Sequence, residues 1–268
     1  MKDTVFVEHL SSHIRMMDVL ERVKRRPVGH DCIIVAQGNP GFGKTDTMTW
    51  LAVGSSAGEA RRQRRFVDPA GERTGALFVT ANADWTSNWM LSDFAQELGL
   101  HDGRDMSSRK LFSLVVSRLA MVQPLIIIDE ADKIVKKEKV ILLIKRITDA
   151  TECVTILSGA DGTAATIRVK YKDVGRRIFD VVNFGSPSIA DVQKICDAVS
   201  DVKIDKSLCA RMIERHGGQL DELMFSISFV ETFAKKARLT AITAEQYGNR
   251  PLCREDVGRS NLLAVTHG

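Results

Sequence analysis

Gly38-Asn39-Pro40-Gly41-Phe42-Gly43-Lys44-Thr45 constrains the fold of this 268-residue chain more than any other stretch. It fits G-x-x-x-x-G-K-[ST] and follows a short, largely β-branched run, Cys32-Ile33-Ile34-Val35-Ala36. After it, the segment from Thr45 to about Val53 reads as a helix. Strand, glycine loop and helix in that order form the setting in which such a loop holds phosphate. The glycines let backbone N–H groups turn towards one point, and the helix N-terminus adds its partial positive charge. In that setting Lys44 reaches the β- and γ-phosphates, and Thr45 offers its hydroxyl to Mg²⁺. Gly38, Asn39, Pro40, Gly41, Phe42, Gly43 and Asp46 complete the expected cradle. The pattern implies a bound nucleoside triphosphate.

A second feature supports the same fold. Leu125-Ile126-Ile127-Ile128-Asp129-Glu130 is an unbroken apolar run that ends in two carboxylates. Apolar residues without alternation suit a strand buried on both faces of a parallel sheet. Ligands in such sheets sit at the carboxyl ends of the strands. Asp129 is therefore expected to hold the Mg²⁺ hydration shell, and Glu130 to polarise the attacking water as general base.

Other segments fill in an alternation of strand and helix. Ala76 to Thr80, Cys153 to Leu157 and the shorter Val181 to Phe184 read as strands. Trp85 to Leu98 and Ser107 to Met121 show helical spacing. From Ser186 the pattern is helical only, at Ile189 to Val199, Lys206 to Arg215 and Leu220 to Ala237. The expected division is an N-terminal helical segment over 1–30, a nucleotide-binding α/β domain over 31–185, a helical lid over 186–248 and a tail over 249–268.

Composition narrows the setting. No apolar run approaches the roughly 18 residues of a membrane span, and Met1-Lys2-Asp3-Thr4 opens no signal peptide. The five cysteines are scattered, which indicates neither a zinc site nor a disulfide framework. A cytoplasmic protein with no membrane partner is expected. The net charge of +4 is mild, but its distribution is uneven. Arg61, Arg62, Arg64 and Arg65 form one basic run, and Lys133, Lys136, Lys137 and Lys139 a second. Arg168, Lys170, Lys172, Arg176 and Arg177 form a third. Basic runs on a nucleotide-binding domain raise the prospect of a nucleic-acid partner. No aromatic residues interleave with the first two runs, which disfavours stacking on single-stranded bases.

The order of phosphate loop, D-E strand, later strand, basic segment and helical lid resembles the AAA+ ATPases. Within them, the chain is similar to the target-selecting ATPases of transposable phages, the Mu B family. The similar stretches are Phe6-Val7-Glu8, the loop 38–45, Ile126 to Asp132, and Arg177-Ile178 followed by Ala190-Asp191-Val192. The resemblance implies an ATP- and Mg²⁺-dependent, DNA-stimulated ATPase that forms helical filaments on duplex DNA and recruits a transposase. It also implies a homo-oligomer with ATP at subunit interfaces, where an arginine of one subunit faces the γ-phosphate held by the next. Arg176 and Arg177, just before the last strand, are the candidates. Lys133, Lys136, Lys137 and Lys139 are the first choice for phosphodiester contacts, and Arg61, Arg62, Arg64 and Arg65 the second. In a multivalent assembly few contacts per subunit suffice, and such contacts carry no sequence information.

Three departures from the family pattern matter. Where an Asn would sense the γ-phosphate the chain has Ala160, so Ser158 or Asp161 is expected to substitute. Where a lid arginine is common, Gly217-Gly218-Gln219-Leu220-Asp221-Glu222 has acids, which predicts slow turnover suited to a switch. Too few residues precede the first strand for a helix-turn-helix domain, so the ATPase core itself is expected to bind DNA. The alternative reading is a helicase-loader-like ATPase acting in replication.

Overall fold

A computed structural model describes residue 7, residues 10–27, residue 29 and residues 31–53, 76–100 and 106–256. The arginine run at 61–65 lies outside these residues. The described residues fall into two compact units: those within 15–39 and 44–184, and those within 1–14, 40–43 and 185–268.

The larger unit is built on five parallel strands: β1 (Ile33–Gly38), β2 (Leu77–Thr80), β3 (Ile126–Asp129), β4 (Thr155–Gly159) and β5 (Ile178–Phe184). Their order is β2-β3-β4-β1-β5, and every pairing is parallel. Strands in this arrangement need long crossovers, and helices supply them. They are α2 (Lys44–Val53), α3 (Ser87–Glu97), α4 (Ser108–Val122), α5 (Glu138–Thr151), α6 (Thr163–Lys170) and α7 (Lys172–Gly175), preceded in the chain by α1 (Ser11–Lys24). A parallel sheet flanked by helices is the fold class expected from the sequence.

Its core explains the unbroken apolar strands. Ile33 and Val35 of β1, Ile126 and Ile128 of β3 and Leu157 of β4 join one buried cluster. Met90, Phe94, Leu111, Val115, Leu119, Ile141 and Ile144 from α3, α4 and α5 pack into it. The alternate residues Ile34, Ile127 and Ile156 are also fully buried, so the three central strands leave neither face to water. Local signals start the helices: the side chains of Thr86 and Ser107 accept from Trp89 N and Lys110 N at the first turns of α3 and α4.

Two differences from the sequence expectation stand out. Strand β5 spans seven residues, beginning at Ile178 and not at Val181. Helix α5 and the short helices α6 and α7 occupy segments to which the sequence assigned no element, only basic residues at some positions.

The smaller unit carries α8 (Ile189–Val199), α9 (Lys206–His216), α10 (Leu220–Lys236) and α11 (Ala244–Tyr247). A parallel pair of two-residue strands, β6 (Lys203–Ile204) and β7 (Ala241–Ile242), lies among them. Val192, Ile195, Leu208, Met212, Leu223, Ile227 and Val230 form its core. Ser188 and Asp191 make a capping box at the start of α8, and Asp191 also accepts from the amide and hydroxyl of Ser11. Those bonds hold its carboxyl below the usual range against the opposing effect of burial.

Candidate functional site

The loop after β1 turns through Gly41 and Gly43, whose φ values of 85° and 77° are conformations that L side chains rarely adopt. Helix α2 begins at Lys44, so the loop's amides lead into a helix N-terminus. Lys44 Nζ donates to the carbonyls of Gly38 (2.6 Å) and Asn39 (2.8 Å). Burial lowers the Lys44 pKa, while the charges of Asp129, Asp161 and Asp132 act to raise it.

The carboxyl ends of β3 and β4 bring three residues together. Asp129 is 4 % exposed and accepts from two hydroxyls: Thr45 Oγ1 on Oδ2 (2.9 Å) and Ser158 Oγ on Oδ1 (2.7 Å). Ser158, read as a possible phosphate sensor, is fully buried and spends its hydroxyl on Asp129. Asp161 is exposed, within electrostatic reach of Lys44. The arrangement fits Mg²⁺, because a magnesium ion takes one or two protein oxygens and otherwise phosphates and water. Among the described residues no cluster of three or more His, Cys, Asp or Glu could hold a metal by itself.

Glu130 leaves the strand with φ 55°, a left-handed conformation unusual for a side-chain-bearing residue. Its carboxylate is about half exposed and ion-paired with Lys133 three residues on. That pairing raises the Lys133 pKa. Of the other lysines in this run, Lys137 Nζ donates to Trp85 O (3.2 Å), whereas Lys136 and Lys139 are exposed.

The two arginines before β5 differ. Arg177 Nε donates to Asp149 Oδ1 (2.8 Å), and its own carbonyl accepts from Ile33 N (2.9 Å). Arg176 is 77 % exposed, paired only at the surface with Asp173. Arg168, Lys172, Gly175 and Arg176 line an open hollow of about 490 Å³.

In the smaller unit, residues 40–43 meet the start of α10. Leu220 N donates to Gly41 O (2.7 Å), and a Cβ on Gly41 would lie 3.3 Å from Asp221 Oδ1. Asp221 thus lies beside residue 41, whereas Glu222 accepts from Arg254 N (3.2 Å).

Several residues at the strand ends escaped the sequence reading. Gln37 Nε2 donates to Asn183 Oδ1 (3.1 Å), and its Oε1 accepts from Ala164 N (3.0 Å), which ties β1 to β5 and to α6. Asp132 Oδ1 accepts from Ala160 N (3.0 Å) and holds the turn after β3 to the end of β4. Only the β1–β5 register, which sets Gln37 opposite Asn183, reveals the first of these.

This sheet order, with a phosphate loop after β1 and an acidic pair closing β3, defines a P-loop nucleoside triphosphatase. The AAA domain family matches residues 26–166, more than half of the chain, and the chain belongs to that family. It is an AAA+ ATPase, an ATP-hydrolysing enzyme. No curated protein sequence matches it. Among solved structures it is similar to the Orc2 protein of Aeropyrum pernix in an ADPNP–ADP form, with TM-score 0.61 and 14 % identity over 96 % of this chain and 70 % of the other. The Orc1 protein of the same organism in complex with DNA gives TM-score 0.56 and 18 % identity over 98 % of this chain and 68 % of the other. Cdc6 from Pyrobaculum aerophilum gives TM-score 0.56 and 14 % identity over 90 % of this chain and 66 % of the other. No helix among the described residues is long and apolar enough to cross a membrane.

Proposed function

We propose that this protein is an ATP-switched ATPase that assembles on duplex DNA without reading its sequence. The observation that carries the nucleotide half of this reading is the convergence of Thr45, Ser158 and Asp129 beside Lys44. Lys44 exchanges its loop carbonyls for the β- and γ-phosphates. Thr45 and Asp129 hold Mg²⁺, largely through water, and the ion when bound neutralises developing phosphate charge. Glu130 accepts a proton from the attacking water, and Ser158 fixes the orientation of Asp129. Arg176, not the tethered Arg177, reaches the nucleotide of a neighbouring subunit. Asp221 and Glu222 stand in the sequence where many AAA+ proteins have a lid arginine, and turnover is slow.

The DNA half rests on the exposed lysines Lys136 and Lys139, on the arginine run at 61–65, and on the DNA-bound state of the similar Orc1 structure. The resemblance to the Mu B family extends the reading to helical filaments that recruit a transposase and select its target. The likeness to Orc and Cdc6 folds favours a second reading, a replication protein akin to a helicase loader.

Glu130→Gln and Lys44→Ala test the account. The first keeps ATP binding, loses turnover and traps long-lived assemblies on DNA; normal turnover would overturn the role of Glu130. The second loses ATP-dependent assembly, and assemblies of unchanged length would overturn the role of Lys44. Lys136→Ala with Lys139→Ala weakens duplex binding and flattens its salt dependence, with each lost phosphate contact lowering the slope by about one.

A further inference from the structure

Trp89 is an aromatic ring left on the surface and yet held in place. It stands on the first turn of α3, 43 % exposed, while Met90, Leu91, Phe94 and Ala95 carry the buried face of that helix. A single exposed apolar side chain is ordinary. This one is fixed twice: its backbone N–H donates to Thr86 Oγ1 (3.2 Å), and its side chain bonds to Asp93. Asp93 Oδ2 also accepts from Trp85 Nε1 (2.7 Å), so one partly buried acid positions two neighbouring indoles. A ring whose polar edge is already bonded offers its face with little further loss of side-chain freedom.

The fold brings this ring to the lysines. Lys137 lies beyond the 3₁₀ turn Ala131–Lys133 that follows β3, and its ammonium donates to the carbonyl of Trp85, 52 residues earlier. Trp85 is only 1 % exposed, which makes it a rigid anchor for the lysine segment. Lys136 and Lys139, on either side of Lys137, are exposed. In sequence no aromatic residue stands among these lysines; in space Trp85 and Asp93 set Trp89 beside them. Ammonium groups track phosphates, and an indole face stacks on any base, because every base has a π-face. A fully paired duplex keeps those faces inside its own stack.

Resting on the DNA-binding reading above, we propose that Trp89 is a stacking platform for an unpaired nucleobase in a strand whose phosphates Lys136 and Lys139 hold. The protein then prefers DNA with opened base pairs to a fully paired duplex, without reading which base it stacks on. One base on an aromatic ring corresponds to about five-fold or more in affinity. Stacking releases no counterions, so it leaves the salt dependence to the lysines.

Fluorescence anisotropy with a non-hydrolysable ATP analogue tests this on three labelled probes. They are a fully paired duplex, the same duplex with a short central bubble of unpaired thymidines, and that bubble with abasic sites in place of its thymidines. Wild type binds the thymidine bubble about five-fold or more tightly than the other two. Trp89→Ala loses this preference but keeps its affinity for paired duplex and its salt slope, and Trp89→Phe keeps most of the preference. Tryptophan fluorescence of wild type falls on binding the thymidine bubble, and falls less in Trp89→Phe. Equal wild-type affinity for the thymidine and abasic bubbles needs no variant to interpret; it overturns the inference and leaves ATP-dependent duplex binding standing. An unchanged preference in Trp89→Ala also overturns it, and assigns the ring to a protein contact. Trp89-dependent binding of the bubble by a protein that binds no paired duplex supports the inference and overturns the duplex reading.

Discussion

Gly38 closes β1 and opens the phosphate loop, and its lack of a side chain is a packing requirement. A Cβ at Gly38 would lie 2.0 Å from Phe184 O, 2.9 Å from its carbonyl carbon and 3.0 Å from its Cβ. The obstacle is backbone in register with Gly38 on the neighbouring strand, so no rotamer change relieves it. Gly38→Ala must part the ends of β1 and β5 by about 1 Å to restore ordinary contact. Overpacking of this kind costs about 1–3 kcal/mol, and one strained ladder hydrogen bond adds about 1 kcal/mol. The sum, about 2–4 kcal/mol, lowers the melting temperature by about 4–16 °C at this chain length. Gly185→Ala is the control: a Cβ there meets nothing within 4 Å, and the change stays within about 0.5 kcal/mol. Differential scanning fluorimetry reads both variants, with and without ATP. A Gly38→Ala protein that melts within 2 °C of wild type would refute the reasoning.

Ser158→Ala leaves Asp129 Oδ1 buried with one donor fewer; denaturant titration is expected to show a loss of about 1–3 kcal/mol, and ATP turnover to slow. His216 is half-buried, with Nε2 against Ser226 Oγ (3.1 Å), and burial lowers its pKa. Its folded pKa lies below the unfolded value, so its contribution is intact above about pH 6.5 and is lost as pH falls through the folded pKa. His216→Asn should therefore lose less stability than wild type between pH 7.5 and pH 5.5, and parallel stability curves would count against that assignment.

How much of this was legible varied with the kind of signal. Strand β3 announced itself because a strand buried on both faces cannot alternate, and Ile126 to Ile128 are apolar throughout. The glycine loop was legible because its spacing is a backbone requirement. Strand β5 looked short because Phe179 and Asp180, which follow its buried first residue Ile178, are only partly buried at the sheet edge. Helix α5 was obscured by Lys136, Lys137 and Lys139, although Val140, Ile141, Ile144 and Ile147 carry helical spacing into the core. Strands β6 and β7 are too short to show any period. Gln37 and Asn183 acquire meaning only through parallel register, and the Glu130–Lys133 pair only once the 3₁₀ turn is known. No local pattern encodes such contacts.

The central claim is ATP-controlled assembly on duplex DNA. Its most direct test is negative-stain microscopy of the purified protein with linear duplex DNA, in ATP, in ADP and without nucleotide. The account predicts ordered assemblies along DNA in ATP alone, with helical filaments favouring the transposition reading and closed rings the loader reading. Particles that neither coat DNA nor change with nucleotide would contradict it.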